Sequence, residues 1–392
     1  MNLDKIRQDI RGLEDGKIFL NNAGSSLMPK VVVDSMIDYL QQEEQTGGYI
    51  VAAKNEALLE EFYEETAKLI NAKSSNIAFA TSATDAYAKA LSSIIFNEGD
   101  VIITTVDDYI SNQITFISLQ KKLNVKIVRT KNLSDNELDL EDLENLIKKH
   151  QPTLVAVTHI PTNSGLIQNV EAVGKICKQY DILYLVDACQ SVGQILVDVE
   201  KIGCDFLTAT GRKFMRGPRG TGFLYVSDKV LEQNYAPLLL DMRGAHWSEF
   251  DDYELFKTAK RFEHWEISYA SLFGFTQAIK YANQIGLEHI ENYNKNLSGI
   301  LRNNLKESGF QIWDQGNHLS SIITFSGPDG NLENIQKVLK ENNIFFSVTN
   351  KNSALIDFTN KNINGIVRLS PHYFNTIDEI EKVSEILKNS LK

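Results

Sequence analysis

Between residues 76 and 226 the chain alternates two hydrophobic patterns. Short apolar runs fall at 77–80, 101–104, 126–129, 154–158, 183–186, 206–209 and 222–226. Between several of them, at 83–96, 140–149 and 170–179, apolar residues recur every three or four positions. That is the spacing of a helix with one buried face. The short runs barely alternate with polar residues, as expected of strands covered on both faces. The pattern predicts an α/β fold built on a mostly parallel seven-stranded sheet, with helices on both sides. Ligands on such sheets gather beyond the carboxyl ends of the strands.

Around this block the pattern changes. Helical spacing predicts helices over 31–44 and 55–70, broken between them at Thr46-Gly-Gly48, and a short charged helix over 1–16. Residues 227–268 read as irregular and aromatic-rich, and a long helix over 272–305 is interrupted near Gly286. The remainder offers strands at 321–325, 345–348 and 367–369 and helices at 331–341 and 377–387, a smaller α+β unit. The expected division is a large domain over 17–270 and a small one over 271–392 joined by 1–16.

Composition narrows the function classes. A chain of 392 residues suits a large domain plus a smaller one. With 43% hydrophobic and 23% charged residues it reads as a globular protein, and a net charge of −11 argues against nucleic acid as a partner. Cys177, Cys189 and Cys204 form no CxxC, and the histidines show no metal spacing, so neither disulfides nor a metal is expected. Residues 1–7 lack the apolar core of a signal peptide, and no run approaches a membrane span. The expected compartment is the cytoplasm.

Chemistry concentrates where strands end. Lys213 sits in Thr208-Ala-Thr-Gly-Arg-Lys-Phe-Met-Arg-Gly-Pro-Arg-Gly-Thr-Gly222, rich in small and hydroxyl residues. Alone, that is a basic loop between strands. Upstream, however, Asp187 ends the apolar run 182–186. A carboxylate at a buried strand tip together with a lysine in a glycine-rich turn suggests pyridoxal phosphate, which needs a lysine for its Schiff base and an acid for its pyridinium nitrogen. Thr81-Ser-Ala-Thr-Asp85 joins a strand to a helix and reads either as a phosphate site or as an ordinary N-cap. Tyr109 in Asp107-Asp-Tyr109 is a ring-stacking residue or a partly buried tyrosine. His159-Ile-Pro-Thr-Asn-Ser-Gly165 is a ligand loop or a turn. Arg368 in Gly365-Ile-Val-Arg-Leu-Ser-Pro371 is a carboxylate clamp or a surface ion-pair member.

Taken together, these motifs resemble the class V aminotransferase superfamily, the branch of fold-type I pyridoxal phosphate enzymes that includes cysteine desulfurases. The resemblance runs from Phe19-Leu-Asn-Asn-Ala-Gly24 to Arg368-Leu-Ser-Pro-His-Tyr-Phe-Asn-Thr376. It implies that Lys213 carries the cofactor and that Asp187 pairs with its ring nitrogen. Gln190 and Thr162 would lie beside the ring, Tyr109 would stack on it, and Ala83, Thr84 and Thr210 would meet the phosphate. Arg212, next to the lysine, joins this cofactor-binding set. Arg368, with Ala23 and Gly24, would hold the substrate α-carboxylate. A homodimer acting on an amino acid is implied too.

Three departures are informative. Desulfurases place a histidine before the lysine, where this chain has Arg212. They carry a catalytic cysteine upstream of the clamp arginine, and Val348-Thr-Asn-Lys-Asn-Ser-Ala354 has none. Arg261-Phe-Glu-His-Trp-Glu266 lacks the Gly-Thr pair that reaches a neighbouring subunit's phosphate. Segments 159–165 and 212–226 are most similar to the hercynylcysteine sulfoxide lyase and isopenicillin epimerase-like branch. The expected reaction is therefore β-elimination from a cysteine S-conjugate or sulfoxide, with Arg216 and Arg219 either contacts to the leaving group or structural residues. Amino transfer and epimerisation are the alternatives within the family, and a non-enzymatic scaffold is the alternative outside it.

Overall fold

The computed structural model describes residues 1–13, 16–328, 330 and 332–391. All seven expected strands form, as β1 Ile77–Ala80, β2 Val101–Thr104, β3 Lys126–Arg129, β4 Leu154–Thr158, β5 Leu183–Asp187, β6 Phe206–Thr210 and β7 Gly222–Val226. They make one sheet in the order β1-β7-β6-β5-β4-β2-β3. β7 runs antiparallel to both its neighbours, and the other pairs are parallel.

Successive strand residues point to opposite faces, and the core divides accordingly. Ile77, Phe79, Val155, Val157, Tyr184 and Val186 pack on one side. Ala78, Ala80, Leu154, Ala156, Leu183 and Leu185 pack on the other. Both faces are buried, which is why these strands are apolar throughout rather than alternating. On the first face the helix Tyr269–Ile285 packs across Lys30–Thr46 and Glu56–Ile70.

A second sheet of four strands takes the order 311–312, 323–326, 365–369, 347–350, all antiparallel. It has its own core with the helices Leu287–Glu307, Glu333–Glu341 and Ile377–Asn389. The expected strand over 345–348 is two. Ile344–Phe345 pairs parallel with Ile18–Phe19, and Ser347–Asn350 pairs with Gly365–Leu369.

Other differences have local causes. The Gly47 break is real, with φ of 84°, yet helix resumes at once over Gly48–Lys54. Residues 227–268 contain a short helix, Asp228–Glu232, and a hairpin of Ala245–Glu249 with Asp252–Leu255. The expected first helix covers only Leu3–Gln8 before a turn at Arg11–Leu13, and its Glu14 and Asp15 lie outside the described residues. So does Asn331, the first residue of the helix expected over 331–341. No helix among the described residues is long and apolar enough to cross a membrane.

Candidate active site

The cleft opens where β4, β5 and β6 end, as the parallel sheet requires. Thr158 pairs in register with Asp187, and Asp187 with Thr208, so the three strand ends lie side by side. Asp187 is 4% exposed. Its carboxylate accepts from Asn112 Nδ2 at 3.0 Å and from the Cys189 amide at 2.9 Å. Asn112 stands in the first turn of the helix Ile110–Leu123, just beyond Tyr109, and also donates to Asp108. Asp108 in turn accepts from Thr158 and Gln113. Each carboxylate thus has donors facing its oxygens.

Lys213 follows β6 and is 7% exposed, with no ion pair among the described residues. Its amine lies 5.7 Å from the centroid of the Tyr109 ring. Burial lowers its pKa and nearby Arg212 and Arg368 push the same way, against Cys189 and Asp187. The surroundings thus favour the neutral, nucleophilic amine.

One wall of the cleft is a helix start. Ser82 caps the helix Ala83–Ser92, its hydroxyl accepting from the Asp85 amide at 3.0 Å. The amides of Ala83 and Thr84 belong to the first turn, whose N–H groups have no partner within the helix. Gly222 of β7 sits against this turn and opposite Thr210. A Cβ there would lie 2.5 Å from the Ala209 carbonyl oxygen and 3.1 Å from the Ala83 nitrogen. Only glycine lets the turn approach the strand this closely.

The opposite wall comes from distant parts of the chain. Asn22 and Ala23 are fastened to Ser370. Gln190 Nε2 donates to the Ala23 carbonyl at 3.1 Å and to Thr162 Oγ1 at 3.0 Å. Arg368 donates to the Thr162 carbonyl and hydroxyl. Arg212 donates to the Gly24 carbonyl. Burial pushes the Arg368 guanidinium down to about 10, helped by Arg212, so it stays charged at neutral pH. Gln190 Oε1 and Arg368 Nε are buried without a partner. Orphaned polar atoms of this kind are uncommon unless a ligand or water completes them.

The cleft holds about 490 Å³ of unfilled space, open solvent at its mouth included. Of the expected residues, Ala83, Thr84, Tyr109, Thr162, Asp187, Gln190, Thr210, Arg212 and Lys213 line it. Arg368, Ala23 and Gly24 meet its rim through the bonds above.

Two candidates lie outside the cleft, in line with the structural reading left open for them. Arg216 is 1% exposed and turned away from the cleft, its guanidinium 5.0 Å and 4.9 Å from the Tyr373 and Phe374 ring centroids. Its φ of 58° closes the turn after Lys213. Arg219 is exposed and also outside the cleft. Neither reaches a leaving group. Two residues were missed. Asn112 follows Tyr109 by one helical turn, a spacing that marks a shared face. Cys189 lines the cleft beside Asp187; the sequence weighed it only for a disulfide or metal.

Residues 18–383 match the family model described as aminotransferase class-V. The chain belongs to the class V aminotransferase family. As a member, it is a pyridoxal phosphate-dependent enzyme of the fold-type I architecture. It is 29% identical to a probable cysteine desulfurase of Pyrococcus abyssi, over 99% of this chain and 98% of that protein. The apo structure of a cysteine desulfurase from Thermococcus onnurineus superposes with a TM-score of 0.90 at 28% identity, covering 98% and 97% of the two chains. A cystine C–S lyase in complex with its product cysteine persulfide shares the fold at a TM-score of 0.86 and 18% identity, covering 97% and 99%. The donor set suits the family's cofactor: a buried lysine, a hydrogen-bonded carboxylate, a helix start and an amide oxygen left unpaired.

Proposed function

We propose that this class V enzyme cleaves the carbon–sulfur bond of a cysteine S-conjugate or its sulfoxide by β-elimination, giving pyruvate and ammonia. The observation that carries the reading is where the thiols stand. Persulfide chemistry needs an accessible thiolate. Cys177 and Cys204 are buried in the core and their pKa values are raised by burial. Cys189 lies beside Asp187, and burial and that carboxylate hold its thiol protonated. The segment 348–354, where the resemblance puts the desulfurase nucleophile, has no cysteine. On this point the reading departs from the names of the relatives. The similarity of 159–165 and 212–226 to sulfoxide lyases supports it.

Elimination needs no thiol. It needs a base at Cα and a leaving group at Cβ. Pyridoxal phosphate, when bound, supplies the electron sink that makes the Cα proton acidic. With the cofactor bound, Asp187 would keep its ring nitrogen protonated, Tyr109 would stack on the ring, and Ala83, Thr84 and Thr210 would hold the phosphate. Gln190 and Thr162 fix the ring edge. Arg368 clamps the α-carboxylate, with Ala23 and Gly24 closing over it. Lys213 Nζ takes the Cα proton, for which its lowered pKa suits it. The Cβ–S bond then breaks with its electron pair on sulfur. Water completes the release of pyruvate and ammonia.

The reading includes a homodimer. Phe250 and Trp247 of the hairpin are 95% and 74% exposed, and Leu238, Leu239 and Met242 nearby are exposed too. Apolar side chains grouped in this way mark an interface, and a second copy is the partner the resemblance implies. The unpaired cysteines suit a reducing cytoplasm.

The test is pyruvate release by purified holoenzyme from a panel of cysteine S-conjugates and sulfoxides, with the cofactor spectrum followed in parallel. Pyruvate from at least one member is expected. Alanine and persulfide from cysteine, with no pyruvate from any conjugate, would return the enzyme to the desulfurases. Accumulation of the pyridoxamine form would make it an aminotransferase.

A further inference from the structure

The substrate end of the cleft holds more positive charge than one amino-acid carboxylate accounts for. Arg212 and Arg368 both border it, and neither has a carboxylate partner among the described residues. Their bonds go to the carbonyls of Gly24 and Thr162 and to the Thr162 hydroxyl. Asp187, the acid lining the cleft, is occupied by Asn112 and the Cys189 amide. The guanidiniums are close enough that Arg212 helps burial to lower the Arg368 pKa. Two like charges held together in a partly buried site call for two anions.

The cofactor phosphate is one candidate for the second anion, but the structure gives it separate donors. The start of the helix Ala83–Ser92 lies open beside Gly222 and Thr210. Arg212 donates instead to Gly24, in the loop that Gln190 and Ser370 fasten next to Arg368. That bond sets Arg212 beside the substrate clamp, although the resemblance put it among the cofactor contacts.

We propose that the substrate carries a second anionic group on its side chain, a carboxylate or an oxidised sulfur acid, and that Arg212 selects for it. This rests on the cleft being the amino-acid site of a pyridoxal phosphate enzyme, but not on which bond the enzyme breaks. Arg368 takes the α-carboxylate and Arg212 the distal anion. A charge-assisted contact of this kind is worth about 10-fold or more in affinity.

The experiment uses two amino acids that cannot lose a Cα proton, α-methyl-L-aspartate and 2-methylalanine, titrated against the visible band of the holoenzyme. The wild type is expected to bind the acidic probe about 10-fold more tightly. Arg212→Gln is expected to lose that preference, its affinity falling more for the acidic probe than for 2-methylalanine, and Arg212→Lys to keep part of it. A wild type that does not distinguish the probes overturns the proposal, whether or not the variants fold. So does an Arg212→Gln protein weakened equally toward both. Loss of cofactor from that variant with the preference intact would make Arg212 a phosphate ligand instead. Failure of the pyruvate assay would leave these titrations unaffected, so the two readings fail separately.

Discussion

The cleft at the strand tips and the hairpin arm at 245–255 invert each other's burial. At the cleft, charged and polar groups are sunk in an apolar sheet: Asp187, Lys213 and Arg368 are each under 10% exposed. On the arm, Trp247, Phe250 and Tyr253 stand in solvent on a two-stranded ribbon. Each arrangement is unfavourable by itself. Buried charge costs several kcal/mol unless it is paired, and an isolated hairpin is marginal in water. Each therefore points to something outside the single chain. The cleft calls for a polar ligand and the arm for an apolar partner.

The sharpest way to break this contrast is at Lys213. Lys213→Ala is expected to remove the borohydride-reducible attachment of the cofactor and to lower turnover by about 10⁴-fold, with the thermal unfolding midpoint little changed. A reducible adduct surviving in that variant would show that another amine carries the cofactor. On the arm, Trp247→Ser with Phe250→Ser is expected to weaken self-association by about 10³-fold, two interface anchors at ~2 kcal/mol each. Sedimentation at a range of concentrations reads this directly. If the double variant associates as the wild type does, the arm is not the interface.

A smaller effect is expected from His159, buried just beyond β4 with its pKa pushed down to about 4 by burial. The unfolded chain takes up this proton near pH 6.5, whereas the folded chain resists it down to about 4. Between these values the unfolded state binds more protons, so stability falls as the pH falls, by about 3 kcal/mol over the window. Denaturant titrations of His159→Gln should show a correspondingly flatter acid limb. An unchanged slope would mean that His159 does not contribute. The smallest expected effect belongs to Asn112. Asn112→Ala removes a donor from Asp187 and should lower kcat/KM about 10-fold. No change would mean that the Cys189 amide alone suffices.

The sheet was legible because both its faces are covered, so the inner strands read as apolar runs; only the edge strand Lys126–Arg129 is half-exposed and carries charges at its ends. Ends were harder. The helix expected over 83–96 stops at Ser92, although Ile94, Ile95 and Phe96 continue the apolar spacing. The hydroxyls of Ser92 and Ser93 donate back to the carbonyls of Lys89 and Ala90 and favour termination there. At the site, Asp187 stood out because a charged residue ending an apolar run is conspicuous, and Lys213 gained weight only beside it. Asn112 did not, because its importance depends on where the helix after Tyr109 places it. For Arg216 the sequence left a leaving-group contact and a structural role equally open. In the structure its guanidinium packs between aromatic rings, which local sequence cannot indicate. The hairpin was read as irregular because both of its strands are largely exposed and carry no buried face to create a pattern.

The bond from Asn22 to the Ser370 carbonyl spans 348 residues. On the ribosome, at about 5–20 residues per second, Asn22 waits some 20–70 s for its partner. Most sheet strands, by contrast, meet neighbours made shortly before them; β1, which pairs with β7, is the exception. The lysine wall can therefore fold during synthesis, but the loop carrying Ala23 and Gly24 cannot close over it until the 365–370 strand has emerged. A nascent chain would have its cofactor lysine in place well before it had anywhere to hold a substrate.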